Sequence, residues 1–381
     1  MMKGLSNLSK YKYNSVDKSL SSKILNHYWN FCMYFIPKWI APNLITFIGL
    51  MLNVSAFVLI TIYRLCITNA GQGIPSWLGI YSALCIWFYS TLDNLDGKQA
   101  RRTNTSSPLG ELFDHGCDSV NILLGSWIQI NAMGLTNTAD AFLMVIIACV
   151  GFFTSTWEHF HTSILYLGYV SGPSEGIILS CAMILASAKW GSGIWMQEYS
   201  IPMLPMQLSL IRIVLLGIFG LFFIFVLPFS IVHISKAKAK WTAPLQLVPF
   251  CGFLCSLVLW TSRQESGILN NASSEVPFFL FLSCAGIVFS KWVTLMNLNF
   301  LLRQSFPLVI WSVVPMVVFS FGLHWYPVAF APWETAFLAA YLPVVLVDYL
   351  WWVVWVIRSF CVHLGINCFT IPAENLRLKR E

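Results

Sequence analysis

Ten apolar runs, each long enough to cross a bilayer, occupy most of this 381-residue chain. They fall at about 43–63, 77–95, 108–134, 139–161, 174–196, 208–234, 241–262, 277–301, 305–324 and 332–358. Hydrophobic residues make up 57% and charged residues 10% of the chain, with a mean hydropathy of +0.70. No soluble core needs that much apolar sequence. The pattern predicts an all-α polytopic membrane protein of about ten transmembrane helices. Residues 20–40 mix Leu, Trp, Tyr and Phe with Lys23, His27 and Lys38, and read as an interfacial amphipathic helix. The start of the chain is polar, so the first span is expected to act as the insertion signal, with no cleaved leader. The eighth and ninth runs, separated only by Leu302 to Gln304, read as a tight hairpin.

An even number of spans places both termini on one side, and the basic residues say which. Of 22 Lys and Arg residues, 17 fall in the terminal segments and the loops on their side: Lys3, Lys10, Lys12, Lys18, Lys23, Lys38, Lys98, Arg101, Arg102, Lys236, Lys238, Lys240, Arg303, Arg358, Arg377, Lys379 and Arg380. The opposite loops hold only Arg64 and Arg263. By the positive-inside rule both termini face the cytosol. The net charge of +6 therefore reflects loops that flank a membrane; lipid is the expected partner, and nucleic acid is not. On this topology Asn271-Ala272-Ser273 is the lumenal glycosylation acceptor, while Asn104-Thr105-Ser106 stays cytosolic.

Against this apolar background, five of the 16 acidic residues lie between Asp93 and Asp118: Asp93, Asp96, Glu111, Asp114 and Asp118. Asp93 and Asp96 are three apart at the end of one helix. Asp114 and Asp118 are four apart near the start of the next, with Gly110 a turn back on their face. An antiparallel pair of helices would present four carboxylates to one pocket. Four such charges repel unless cations separate them, and hard oxygen donors suit Mg²⁺ or Mn²⁺. Two divalent ions would neutralise all four. Gly97 and Gly110 remove side chains where helices and a phosphate approach closely. Ser107-Pro108 is a good N-cap and first-turn pair, so the third span is expected to start there with its positive dipole end facing the phosphates. Lys98, Arg101 and Arg102 are candidates to neutralise phosphate charge.

The spacing D-x-x-D-G-x-x-A-R, eight residues, G-x-x-x-D-x-x-x-D resembles the signature of the CDP-alcohol phosphotransferases. It is matched at Asp93, Asp96, Gly97, Ala100, Arg101, Gly110, Asp114 and Asp118. The wider run from Gly97 to Ser119, and Ala41-Pro42-Asn43-Leu44-Ile45-Thr46 upstream, resemble the eukaryotic choline/ethanolaminephosphotransferase branch. The resemblance implies a six-helix catalytic core at 43–240, after a cytosolic N-terminus with an interfacial helix at 1–42. Four further helices and a tail at 241–381 would support it and a homodimer. It implies phosphocholine or phosphoethanolamine transfer from CDP-choline or CDP-ethanolamine to diacylglycerol, releasing CMP, at the endoplasmic reticulum or Golgi with the site facing the cytosol. Asp93, Asp96, Asp114 and Asp118 carry over as ligands of two divalent ions. Gly97, Arg101, Gly110, Asn43 and Glu111 are the candidates for substrate binding. Across the family the last aspartate, here Asp118, is often the general base. In this chain His115 sits beside Asp114, and a neutral imidazole is better suited to accept a proton than a carboxylate already holding cations. His115 is the expected base, with Asp118 second.

Other polar groups read as structural. Lys291 and Asp348 lie deep in late spans and are expected to pair. Trp157-Glu158-His159-Phe160-His161, at the end of the fourth span, also resembles the eukaryotic branch; His159 and His161 are expected at the interface. Cys85, Cys149, Cys181 and Cys284 sit in apolar runs as small buried hydrophobes, and no metal-ligand spacing recurs among the 11 cysteines. Two rivals use the same residues. One is a family member with an inositol or glycerol phosphate acceptor. The other is a cation-coupled transporter, which should show repeated halves with acids near the bilayer midplane; here the acids occur once, at one face.

Overall fold

The computed structural model describes residues 4–10, 14–66, 73–168, 175–201, 206–237, 243–269 and 274–372. The Asn271 acceptor site and the basic residues Lys3, Lys12, Lys238, Lys240, Arg377, Lys379 and Arg380 lie outside them. In chain order the helices are α1 (Leu20–Cys32), α2 (Pro42–Cys66), α3 (Ser76–Thr103), α4 (Pro108–Ala132), α5 (Ala139–Thr162), α6 (Ile177–Trp190) and α7 (Leu210–Leu221). There follow α8 (Leu227–Lys236), α9 (Val248–Thr261), α10 (Val276–Leu301), α11 (Val314–Trp325), α12 (Pro327–Phe330) and α13 (Glu334–Leu364). Among the described residues each of the ten apolar runs contains helix, and the chain is an all-α polytopic membrane protein. Six helical stretches among the described residues are long and apolar enough to cross a bilayer by length and composition. α3 and α4 have the length, but their hydropathy is diluted by the charged motif they carry.

Local chemistry sets the ends of these helices. Ser107 caps α4 by accepting the Gly110 amide at 3.2 Å, with Pro108 in the first turn. α3 runs on past its apolar part to Thr103 and stops at Asn104, which takes the left-handed conformation at φ 55°. The first half of the acidic motif is therefore helical throughout. α7 and α8 form one span interrupted by a π turn at Phe222–Val226, where Leu227 N–H bonds back to Phe222 C=O. Pro228 follows immediately, and its missing N–H accounts for the break.

The expected tight hairpin after α10 is not what forms. From Arg303, at φ 53°, the chain runs without helix to Ile310 before a short 3₁₀ turn and α11. Pro307 donates no hydrogen bond and disfavours helix in the residue before it. Trp292 Nε1 donates to its carbonyl at 2.9 Å, and Asn299 Nδ2 donates to Ser305 C=O at 2.9 Å, fixing the extended stretch.

α2 packs on α3 and α4, and α10 packs on α4, α5 and α13. The apolar core between them includes Ile60, Trp127, Phe153, Phe278, Phe281, Phe289 and Trp292, all essentially buried. Helices approach closely where side chains are small: a Cβ on Gly49 would lie 3.2 Å from the Tyr89 ring, and one on Gly286 would lie 2.9 Å from Leu123 Cβ. Cys85, Cys149, Cys181 and Cys284 are buried as free thiols. Lys291 and Asp348 form the ion pair read from the sequence. A buried pair, Arg64 with Glu275, joins the end of α2 to the start of α10, and Thr136 donates to the same carboxylate at 2.6 Å.

At the end of the bundle where α4 begins, segments outside the core converge. Leu5 and Leu8 pack with Leu109, Leu112, Leu301 and Phe360. β1 (Ser15–Asp17) pairs in parallel with β2 (Leu165–Leu167) after α5. α1 lies across α3, with Trp29 buried against Ile45 and Leu95. Its far side exposes Ile24 and Phe31, and Tyr34, Phe35 and Trp39 follow, as an interfacial helix should.

Candidate active site

The last turns of α3 and the first turns of α4 run antiparallel, joined by residues 104–107, and α2 lies against both. This brings oxygens of Asp93, Asp114 and Asp118 within 4.8 Å of one another. One oxygen of Asp93 and one of Asp114 are buried without a hydrogen-bond partner. Buried carboxylate oxygens at such separations are unfavourable unless something positive lies between them, so the donor set fits a divalent cation. Asp96, a turn further along α3, is not in this trio; Thr46 of α2 donates its hydroxyl to Asp96 Oδ2. Tyr89, a turn before Asp93, donates its hydroxyl to Asp118 Oδ1 at 2.5 Å. The sequence reading assigned no role to Thr46 or Tyr89. The signal was there in spacing: Thr46 is one turn from Asn43, and Tyr89 is four residues before Asp93.

The candidate phosphate side has one free cation among the described residues. The Arg101 guanidinium folds back along α3, where a Cβ on Gly97 would lie 3.5 Å from it; no hydrogen bond or ion pair to protein ties it. Lys98 and Arg102 are otherwise engaged. Lys98 Nζ donates to Asn26 Oδ1 at 2.6 Å and Asn30 Oδ1 at 2.8 Å on α1. Arg102 donates to the carbonyls of Met33 at 3.0 Å and Ile36 at 2.6 Å. Both fasten α1 and its linker onto α3. Gln99 does the same through the carbonyls of Pro37 and Ile40.

Asn43 stands opposite the N-terminus of α4. A Cβ on Gly110 would sit 3.6 Å from Asn43 Oδ1 and 3.7 Å from Ser107 Oγ, ordinary contact distances. Gly97 is equally unobstructed. Packing thus requires glycine at neither position. Gly110→Ala is accordingly expected to change melting temperature little, within the ±0.5 kcal/mol typical of a site without clash, while raising the KM for a phosphorylated donor. A thermal shift and a donor titration on the same preparation check both halves.

His115 and Glu111 lie on the flank of α4 that faces α5. His115 is buried, its Nε2 3.0 Å from Thr156 Oγ1 and its ring 5.1 Å from that of Phe152. The Thr156 hydroxyl donates to Phe152 C=O at 2.9 Å, so its oxygen accepts from His115 Nε2–H and leaves Nδ1 as the bare nitrogen. Glu111 has both carboxylate oxygens buried with no hydrogen bond, and His159 Nε2 stands 3.7 Å from one of them. The other acidic and imidazole groups of 157–161 face elsewhere. Glu158 accepts from His233 Nδ1 at 2.6 Å and from Ser230, and His161 Nε2 meets Gln246 Oε1 at 2.7 Å.

These residues carry the family assignment. A CDP-alcohol phosphatidyltransferase family model matches residues 39–198, the segment that holds α2 to α6 and every residue of the site. The chain is 32% identical to an uncharacterized CDP-alcohol phosphatidyltransferase class-I family protein 3 of Dictyostelium discoideum, over 97% of this chain and 98% of that protein. It is 30% identical to choline/ethanolaminephosphotransferase 1 of Arabidopsis thaliana over the same shares of the two chains. It is 35% identical to choline/ethanolaminephosphotransferase 2 of that plant over 70% of this chain and 71% of the relative. The chain belongs to the CDP-alcohol phosphatidyltransferase family and is a membrane-embedded transferase of phospholipid biosynthesis.

Proposed function

We infer that the protein transfers phosphocholine or phosphoethanolamine from CDP-choline or CDP-ethanolamine to diacylglycerol. The observation that carries this reading is the convergence of Asp93, Asp114 and Asp118 within 4.8 Å, beside the unobstructed glycines and the free Arg101. The whole-length likeness to a protein named choline/ethanolaminephosphotransferase supports the choice of choline or ethanolamine as the group carried by the donor. Asp93, Asp96, Asp114 and Asp118 would hold two Mg²⁺ or Mn²⁺ ions. Bound there, such ions neutralise the diphosphate and stabilise the departing charge. Asn43 and Gly110 receive the nucleotide at the α4 N-terminus, Arg101 and Gly97 the diphosphate, and Glu111 a donor group of the substrate.

In the transfer, the acceptor hydroxyl oxygen bonds to the phosphorus that bears the amino alcohol. The bond from that phosphorus to the bridging oxygen breaks, and CMP leaves with the electron pair. His115 Nδ1 takes the hydroxyl proton, while Thr156 holds the ring in the tautomer that can accept it. Residues 43–240 form the catalytic core, and 241–381 support it and a homodimer. The distribution of basic residues supports a site open to the cytosol, where a soluble donor reaches it from the endoplasmic reticulum or Golgi surface.

The test is a purified, metal-supplemented assay with diacylglycerol and either CDP-choline or CDP-ethanolamine. Formation of phosphatidylcholine or phosphatidylethanolamine with equimolar CMP is the expected result. Transfer only to inositol or glycerol phosphate would overturn the choice of acceptor.

A further inference from the structure

The stretch after α13 turns back over the site. α13 ends at Gly365, φ 65°, whose N–H bonds to Cys361 C=O. Thr370 then forms an antiparallel bridge with Ile40, itself fixed to α3 through Gln99 at 2.6 Å. Between these points, Cys368 Sγ accepts the Asn43 side-chain amide at 3.5 Å. The Phe369 ring lies 5.7 Å from Phe47 and 5.6 Å, edge-on, from Phe113. Asn43 is the residue assigned to the nucleotide, and Phe113 adjoins Asp114. The segment therefore crosses the gap between the first turns of α2 and α4, where the donor must enter.

We propose that residues 366–370 are a strap that closes the nucleotide mouth in the ligand-free protein, with the Cys368 sulfur holding the place of the ligand oxygen that Asn43 binds. Donor binding then requires the strap to lift. The proposal rests on the functional reading above, which puts the nucleotide at Asn43 and Gly110.

The contacts suit a part that is held but replaceable. Burial pushes the Cys368 thiol up to about 11, so Asn43 meets a neutral S–H, a weak acceptor. A phosphate or carbonyl oxygen is a much better partner for the same amide, and a charged one better still. The strap is held by one backbone bridge, one weak hydrogen bond, the packing of Ile366 and Cys368 on the cluster that holds Leu109, Leu112 and Phe360, and a ring that remains 41% exposed. A non-helical segment held this way opens at less cost than the helices it lies on. While it is closed, the apparent donor affinity falls by the fraction of protein that is open.

A reversible lock tests this on the full-length protein. Facing residues of an antiparallel pair have Cα atoms about 4.5–5.5 Å apart, within disulfide range. Ile40→Cys with Thr370→Cys should therefore bridge on oxidation and hold the strap down. The oxidised double variant is expected to lose at least about tenfold in CMP release from CDP-choline, and to recover on reduction. Wild type carried through the same oxidation should stay active, and Mn²⁺ binding by both should be equal. A bridged variant as active as its reduced form, beside an active wild type, overturns the strap and leaves the functional reading standing. Failure of reduced wild type to turn over CDP-choline or CDP-ethanolamine overturns the functional reading, and the strap with it.

Discussion

Asp93→Asn, Asp96→Asn and Asp114→Asn should each lower turnover by about 10²-fold or more while leaving the protein folded in the membrane. The substitution keeps the size and removes one negative charge from a set built around charge. Asp93 and Asp114 each place an oxygen in the interior with no protein donor, as a cation ligand would. Stability should move the other way. In metal-free protein the three facing carboxylates repel one another, and one neutral carboxamide relieves that repulsion. The Asn variants are thus expected to melt no lower than wild type without metal, and to gain less on adding Mn²⁺, because ligand stabilisation depends on affinity. Turnover above a few per cent of wild type in any of them contradicts the assignment, as does a variant that simply fails to fold.

His115→Ala is expected to cost about 10²–10⁴ in turnover, the usual penalty for losing a general base, with donor binding and the metal requirement largely intact. His115 stands apart from the carboxylate trio. His115 contributes no atom to the carboxylate trio, and its ring points to Thr156 and Phe152 of α5. A group that only supported a metal-bound carboxylate would, when removed, weaken metal binding and be rescued by excess cation. Titration of Mg²⁺ or Mn²⁺ to saturation on the Ala variant decides between these roles. Rescue would move the base to Asp118, whose oxygen Tyr89 already engages.

The all-α, polytopic character was legible because hydropathy over some twenty residues is a coarse signal that survives local detail. Where it failed, a single residue decided. Phe306 to Ile310 look like the start of a span, but Pro307 keeps them extended. Residues 96–103 look like a loop because they are polar, yet they continue α3 and aim Asp96 and Arg101. The four aspartates were legible from spacing along two helices. That Asp96 hangs on Thr46 while the other three converge was not, since it depends on α2, some 50 residues away in sequence. The tie of Lys98 and Arg102 to α1 and its linker was hidden for the same reason: only the position of α1 shows which polar groups they meet. The segment around Cys368 gave no signal at all, because its partner Asn43 lies 325 residues away and no periodicity links two chain ends.

The central claim is that the cluster between α3 and α4 binds divalent cations for phosphoryl transfer. Electron paramagnetic resonance of Mn²⁺ with purified wild type and an Asp93→Asn/Asp114→Asn double variant tests it most directly. The expected result is tight Mn²⁺ binding by wild type, strengthened by CDP-choline or CDP-ethanolamine and lost in the double variant. Equal Mn²⁺ binding by the two proteins, with and without donor, would contradict it.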